Sequence, residues 1–307
     1  MITESAPSFI SYLRYLRTRC DENGLLSIGL GDWCHVGGLD TPKAPLVVTD
    51  TITSMDIASK IAIMLDAINM SDEADYARGE AQKYREAIRR ELVDFTTMRV
   101  MGDCQSSQAM ALYYGVFDES EKNAAFDHLL KMIHDCDDHM DVGVLGGRVI
   151  FHVLTQFGYS DLAYKMITRE DYPSYGNWIK WGATTLWEHF RPLEKVSSMN
   201  HHFWGDISAW FIKRIAGIQI NPNKNNANEI LIAPSFVTAL DHASAYHITP
   251  RGKVSVSWRR ENECIILDLE IPQGISATAE LEPHFSFDDG ERSKAIVTGV
   301  YKIVQMR

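Results

Sequence analysis

Asn221-Pro222-Asn223-Lys224-Asn225-Asn226-Ala227-Asn228 divides the chain into two parts of different periodicity. The stretch is polar and turn-forming throughout, so it marks the best domain boundary. Upstream, apolar residues recur at helical spacing. Residues 8–19 carry Phe9, Ile10, Tyr12, Leu13 and Leu16, and residues 52–70 form a long apolar run. Further helices are expected over 76–92, 105–114, 121–133, 147–157, 162–167 and 203–216. Asp118 or Ser120 is the expected cap of the 121–133 helix, and Gly217 the left-handed stop of the last one. Downstream the period drops to two. Lys253-Val254-Ser255-Val256-Ser257-Trp258 alternates, as does Ala277-Thr278-Ala279-Glu280-Leu281, and residues 264–271 are another β-rich run. The expected organisation is a mainly α protein: a helical domain over 1–220, then an antiparallel β-sandwich over 228–307.

A chain of 307 residues exceeds one typical domain, and 45% hydrophobic content is ample for a sizeable core. The net charge of −11 gives no electrostatic footprint for nucleic acid or an anionic membrane, whereas a neutral substrate suits it. No stretch is long and apolar enough to span a bilayer. The opening Met1-Ile2-Thr3-Glu4-Ser5-Ala6-Pro7 does not read as a secretory signal. Five scattered cysteines (Cys20, Cys34, Cys104, Cys136, Cys264) without a Cys-x-x-Cys pair suit reduced thiols, so a cytoplasmic location is expected.

Three stretches carry candidate chemistry. Gly182-Ala183-Thr184-Thr185-Leu186-Trp187-Glu188 sets a carboxylate after a tryptophan, just beyond the aromatic loop Tyr172-Pro173-Ser174-Tyr175-Gly176-Asn177-Trp178. Glycoside hydrolysis uses two carboxylates, one donating a proton to the leaving oxygen and one activating water in inverting enzymes. Glu188 suits the second role, with Trp187 and Phe190 shielding it, and Trp178 and Trp187 are candidate sugar platforms; a helix-surface glutamate is the bland alternative. Ser198-Met199-Asn200-His201-His202 offers Asn200 as a helix cap and His201 as a donor to a sugar hydroxyl, against the alternative of a buried histidine. Gly29-Leu30-Gly31-Asp32-Trp33 presents an acid and an aromatic face on a turn, or packs as a structural turn. His134-Asp135-Cys136-Asp137-Asp138-His139 has metal-ligand residue types without the spacing of a zinc or calcium loop, so no metal and no cofactor is expected. Gly143-Val144-Leu145-Gly146-Gly147 reads as a loop that lets backbone approach a cleft.

The order of these motifs is informative. Gly31-Asp32-Trp33, Thr41-Pro42, Gln108-Ala109, Gly143-x-Leu145-Gly146, Tyr172-Pro173-Ser174, Thr184-Thr185-Leu186-Trp187-Glu188, Asn200-His201 and Ile232-Ala233-Pro234 follow one another. So arranged, the chain resembles the C-terminal part of bacterial α-L-rhamnosidases of glycoside hydrolase family 78. The resemblance implies an (α/α)6 barrel with a trailing β-sandwich, and an inverting enzyme acting on rhamnose-containing glycosides. It matches Glu188 to the general base, His201 to a residue contacting rhamnose, and Asp32 and Trp33 to cleft residues, with Trp33 and Trp178 stacking. The family's general acid lies well before Gly-Asp-Trp, and nothing in residues 1–31 matches it. The expectation is therefore a partial barrel lacking its N-terminal helices, weakly active alone. Its uncovered face would favour a homo-oligomer or association with a missing N-terminal part. The competing expectations are a rhamnose-binding remnant, one half of a split enzyme, or a hydrolase of another glycoside.

Overall fold

The computed structural model describes residues 1–37, 42–191, 193–220, 226 and 228–306. Thr41 of the Thr-Pro motif and most of the 221–228 boundary lie outside the described residues. Two compact units are present: Met1–Val153 with Lys165–Trp204, and Leu154–Tyr164 with Gly205–Arg307.

The first unit is helical. Helix α1 (Ile2–Thr18) buries Ala6, Ile10, Leu13 and Leu16, a stripe at helical spacing. It starts six residues before the expected position, because the polar Thr3-Glu4-Ser5 turn hides its periodicity. Helix α2 (Leu46–Asp66) is buried on most sides, which explains its near-continuous apolar run. Helix α3 (Ser71–Glu91) turns back against it across Asn69, whose φ of 60° is left-handed. The buried face of α3 is mostly alanine (Ala74, Ala77, Ala81, Ala87) around Tyr84. Small side chains let the two backbones approach closely. Asp72 and Glu73 in its first turn and Arg89 and Arg90 in its last complement the helix dipole.

A two-residue ribbon, β1 (Val93–Asp94) with β2 (Arg99–Val100), leads into α4 (Gln105–Tyr113) and α5 (Lys122–Asp135). Neither Asp118 nor Ser120 caps α5: Glu121 takes the cap position and makes no side-chain cap bond, its carboxylate instead pairing with Arg89. Helices α6 (Val144–Gly147), α7 (Ile150–Gln156), α8 (Ser160–Thr168) and α9 (Tyr175–Lys180) follow. The Gly143–Gly147 stretch thus folds into a short helix where a loop was expected. The aromatic loop likewise contains a helix, α9, capped by Ser174, whose hydroxyl accepts from Asn177 N–H at 2.9 Å.

The second unit is β-rich. The expected 203–216 helix is shorter: α10 (Asp206–Trp210) passes into a π-turn over Phe211–Ile215, and Gly205, not Asn200, holds its N-cap position. Gly217 follows with φ of 86°, and a Cβ there would sit 2.3 Å from Pro234 N, so both conformation and space require glycine. Strands β3 (Ile218–Ile220), β4 (Glu229–Ile232), β5 (His242–Thr249), β6 (Gly252–Glu261), β7 (Cys264–Glu270), β8 (Ser276–Glu280), β9 (Phe285–Phe287), β10 (Ser293–Ile296) and β11 (Gly299–Gln305) form two sheets. One has five strands in the order β5-β6-β7-β11-β9, all antiparallel. The other has the order β10-β8-β4-β3, and β4 runs parallel to β8. The expectation of purely antiparallel pairing fails at that pair. The chain between them is long enough to cross over, which parallel neighbours need. Alternate residues Val254, Val256 and Trp258 of β6 are buried, and Trp258 Nε1 donates to Ile215 O at 2.8 Å.

Candidate active site

The loop after Ile28 is fixed from below before it can present anything. Asp50 on α2 accepts Ile28 N–H and Gly29 N–H at 2.6 Å each. Asp32, 0% exposed, accepts Gly143 N–H at 2.7 Å, Leu145 N–H at 2.9 Å and Gly146 N–H at 3.0 Å, and also the Ser106 hydroxyl. The carboxylate thereby takes up orphan N–H groups at the start of α6. A Cβ on Gly143 would lie 2.2 Å from Asp32 O, so the approach requires glycine. Trp33 O and Val36 N–H bond to Val144 and Val142 at 2.8 and 3.0 Å, so the loop is laced to that segment at several points.

With its neighbours so held, Trp33 projects outward at 48% exposure, while Cys34 turns inward with φ of 54°. Expected as a sugar-contacting residue, Asp32 offers no free lone pair on an accessible surface. Its place is beneath the loop, where it holds Trp33 in position.

The segment carrying Glu188 is pinned on its other side. His201 N–H donates to Leu186 O at 2.8 Å and Glu188 N–H to Ser198 O at 2.9 Å, pairing 186–188 with 198–201. Trp204 Nε1 donates to Glu188 O at 3.0 Å, and the Thr185 hydroxyl to Met199 O. Tyr172 OH donates to Phe190 O at 2.6 Å and accepts Gly37 N–H at 2.8 Å, bridging this segment to the Trp33 loop. Behind it, Trp178 and Phe190 stack at 3.9 Å with planes 4° apart, and Tyr175, Trp187 and Trp204 pack around them. Trp178 is 2% and Trp187 3% exposed. A sugar ring needs an open aromatic face, so neither can be the platform the sequence suggested. They form the wall that orients residues 187–190.

The Glu188 side chain is 22% exposed, and its Oε1 lies 3.5 Å from His189 Nε2. Cys34, Glu188 and His189 each place one side-chain polar atom within 4.8 Å of the others. The structure therefore brings Glu188 against the residue next to Trp33. Burial pushes the Cys34 thiol up to about 12, with Glu188 adding and Arg191 opposing. Burial also lowers His189; Glu188 pulls the other way, and Arg191 and His201 add to the lowering. The net lowering favours the neutral imidazole at His189. His201 Nδ1 accepts Phe203 N–H at 3.3 Å, which leaves its Nε2 as the protonated nitrogen. Arg191 Nε is buried without a hydrogen-bond partner.

Cys34, Tyr172 as a bridge, His189 and Arg191 went unread in the sequence. His189 and Arg191 flank Glu188 closely enough to have been suspected; Cys34 comes near only through the fold. The His134–His139 cluster is separate, with His134 Nδ1 on Asp138 at 2.6 Å and Lys165 on the same carboxylate at 2.6 Å.

Residues 1–215 match the family model described as bacterial alpha-L-rhamnosidase 6 hairpin glycosidase domain. The chain belongs to this rhamnosidase family. Residues 217–285 match the bacterial alpha-L-rhamnosidase C-terminal domain. An alpha-L-rhamnosidase of Streptomyces avermitilis is 29% identical over 287 residues, covering 90% of this chain and 27% of that protein. The solved structure of the Streptomyces avermitilis enzyme complexed with L-rhamnose aligns with TM-score 0.85 and 25% identity, covering 98% of this chain and 30% of that one. Alpha-L-rhamnosidase from Dictyoglumus thermophilum shares the fold at TM-score 0.88 and 24% identity, over 100% of this chain and 37% of that one. The chain thus spans about a quarter to two-fifths of the rhamnosidases it matches.

Proposed function

We propose that this chain carries the water-activating side of an inverting α-L-rhamnosidase site, acting on terminal rhamnosyl groups of glycosides with Glu188 as general base. The observation that carries the reading is the meeting of Glu188 with the Trp33–Cys34 loop on a rigid frame. Partial exposure of the side chain lets water reach it, and the backbone bonds on both sides hold residue 188 in place to receive a proton. As the oxygen attacks the anomeric carbon, Glu188 accepts its proton. Trp33 supplies the open aromatic face for the sugar, and His201 Nε2–H donates to a ring hydroxyl. Asp32, Trp178 and Trp187 act as positioning residues. The family membership supports reading the helices of the first unit as part of an (α/α)6 barrel and the two sheets as a sandwich.

Nitrophenol release from an aryl α-L-rhamnoside tests this. Glu188→Gln is expected to slow release by roughly 10²–10⁴-fold; equal rates in both proteins remove Glu188 from the chemistry. Proton NMR of the first sugar formed is expected to show the β-anomer, and initial α-anomer overturns inversion. Rhamnose binding by calorimetry with no turnover of any aryl rhamnoside replaces hydrolysis with a purely binding role.

A further inference from the structure

We propose that Cys34, Glu188 and His189 form a binding site for one divalent cation of the zinc class. Cys34 lies more than 150 residues before the adjacent pair Glu188-His189, and one ligand atom from each of the three lies within 4.8 Å of the other two. Tetrahedral zinc, with bonds of roughly 2.0–2.3 Å, sets its ligand atoms about 3.3–3.7 Å apart. The Glu188 Oε1 to His189 Nε2 separation of 3.5 Å already matches such an edge. The Cys34 sulfur lies within 4.8 Å of both, so a shift of its side chain alone is what completes the set.

One sulfur, one nitrogen and one oxygen make a borderline-soft set, which favours zinc over the oxygen-seeking magnesium and calcium. Cys34 and His189 are buried while Glu188 is part-open, so three protein ligands leave a fourth position for water. The Arg191 guanidinium, whose charge is felt at Cys34, opposes a cation and weakens its binding. Binding stands on geometry alone. Its consequence, that zinc inhibits hydrolysis by occupying the Glu188 carboxylate, rests on the reading of Glu188 as base.

Protein stripped with a chelator and dialysed free of it is titrated with zinc chloride by calorimetry and, separately, with cobalt chloride by absorption. The expected result is one ion per chain, with a sulfur-to-cobalt charge-transfer band in the near ultraviolet. Cys34→Ser is expected to abolish that band and weaken zinc at least tenfold, and His189→Gln to weaken zinc comparably. Absence of the band in the natural sequence, or its survival in Cys34→Ser through one of the other four cysteines, overturns the site. If one zinc binds through Cys34 and rhamnoside hydrolysis continues unchanged at saturation, the site stands and Glu188 falls as the base.

Discussion

Asp32 and Trp33 are adjacent in sequence and opposite in circumstance, and substitution at each should read differently. Asp32→Ala leaves three backbone N–H groups and a serine hydroxyl without their acceptor in a closed interior. Each such orphan costs about 1–3 kcal/mol, so a loss on the order of 3–5 kcal/mol is expected once partial relaxation is counted. Urea unfolding measures it, and a loss under 1 kcal/mol would mean that the carboxylate is not the anchor described. Trp33→Ala removes a half-exposed ring with little buried area, so the unfolding midpoint should hardly move. An aromatic face contributes about 0.5–1.5 kcal/mol to a stacked partner, so KM for an aryl rhamnoside should rise roughly 2–10-fold. An unchanged KM would leave the sugar without its platform. Residue types left this turn as either a sugar platform or a structural turn, and the family resemblance matched both positions to cleft residues; only burial separates the support from the surface it supports.

Elements with long periods were legible, and elements built from local hydrogen bonds were not. The α2 and α3 helices announce themselves through apolar and alanine stripes, and β6 through strict alternation. Helix α9 has only six residues, too few for a period, and depends on the buried Ser174 cap. Ser174→Ala should cost about 1–2 kcal/mol and loosen the Trp178 wall behind Glu188, lowering activity together with stability; a stable protein with unchanged activity would separate the wall from the site. In the β-rich unit, Glu282 is the element-scale feature that no pattern reveals. Burial raises its pKa, while bonds from Ser235 and Ser160, the latter at 3.3 Å, pull it back down. A folded pKa above the unfolded value of about 4.3 means the folded state holds the proton more tightly. The contribution to stability is present below the unfolded pKa and declines as pH rises through the folded one. Replacement by neutral Glu282→Gln should therefore flatten the fall in melting temperature as pH rises above the unfolded value. Parallel melting curves for the two proteins across that range would show that Glu282 is no more tightly protonated than in the unfolded chain.

At the scale of the whole molecule, the sequence displayed the order of motifs and hid the distances between them. Gly31-Asp32-Trp33 and Leu186-Trp187-Glu188 lie more than 150 residues apart, and it is Tyr172, taken for part of an aromatic loop, that ties the two stretches together. Their meeting has a kinetic consequence. Of the two acids singled out here, Asp32 is occupied by backbone donors, whereas Glu188 is open to water. In the proposed role Glu188 serves the attacking oxygen and not the departing one, whereas inverting hydrolysis also requires a proton on the leaving group. If the 307 residues act on water alone, rate must depend steeply on how well the aglycone leaves without protonation. A dinitrophenyl rhamnoside should then be cleaved at least about 10²-fold faster than a methoxyphenyl one, the range that a general acid normally supplies. Glu188→Gln should slow both substrates by a similar factor. Rates that are nearly independent of the phenol would mean that another side chain of this chain protonates the leaving oxygen, and a pH–rate profile with a second, descending limb would show that acid being titrated away.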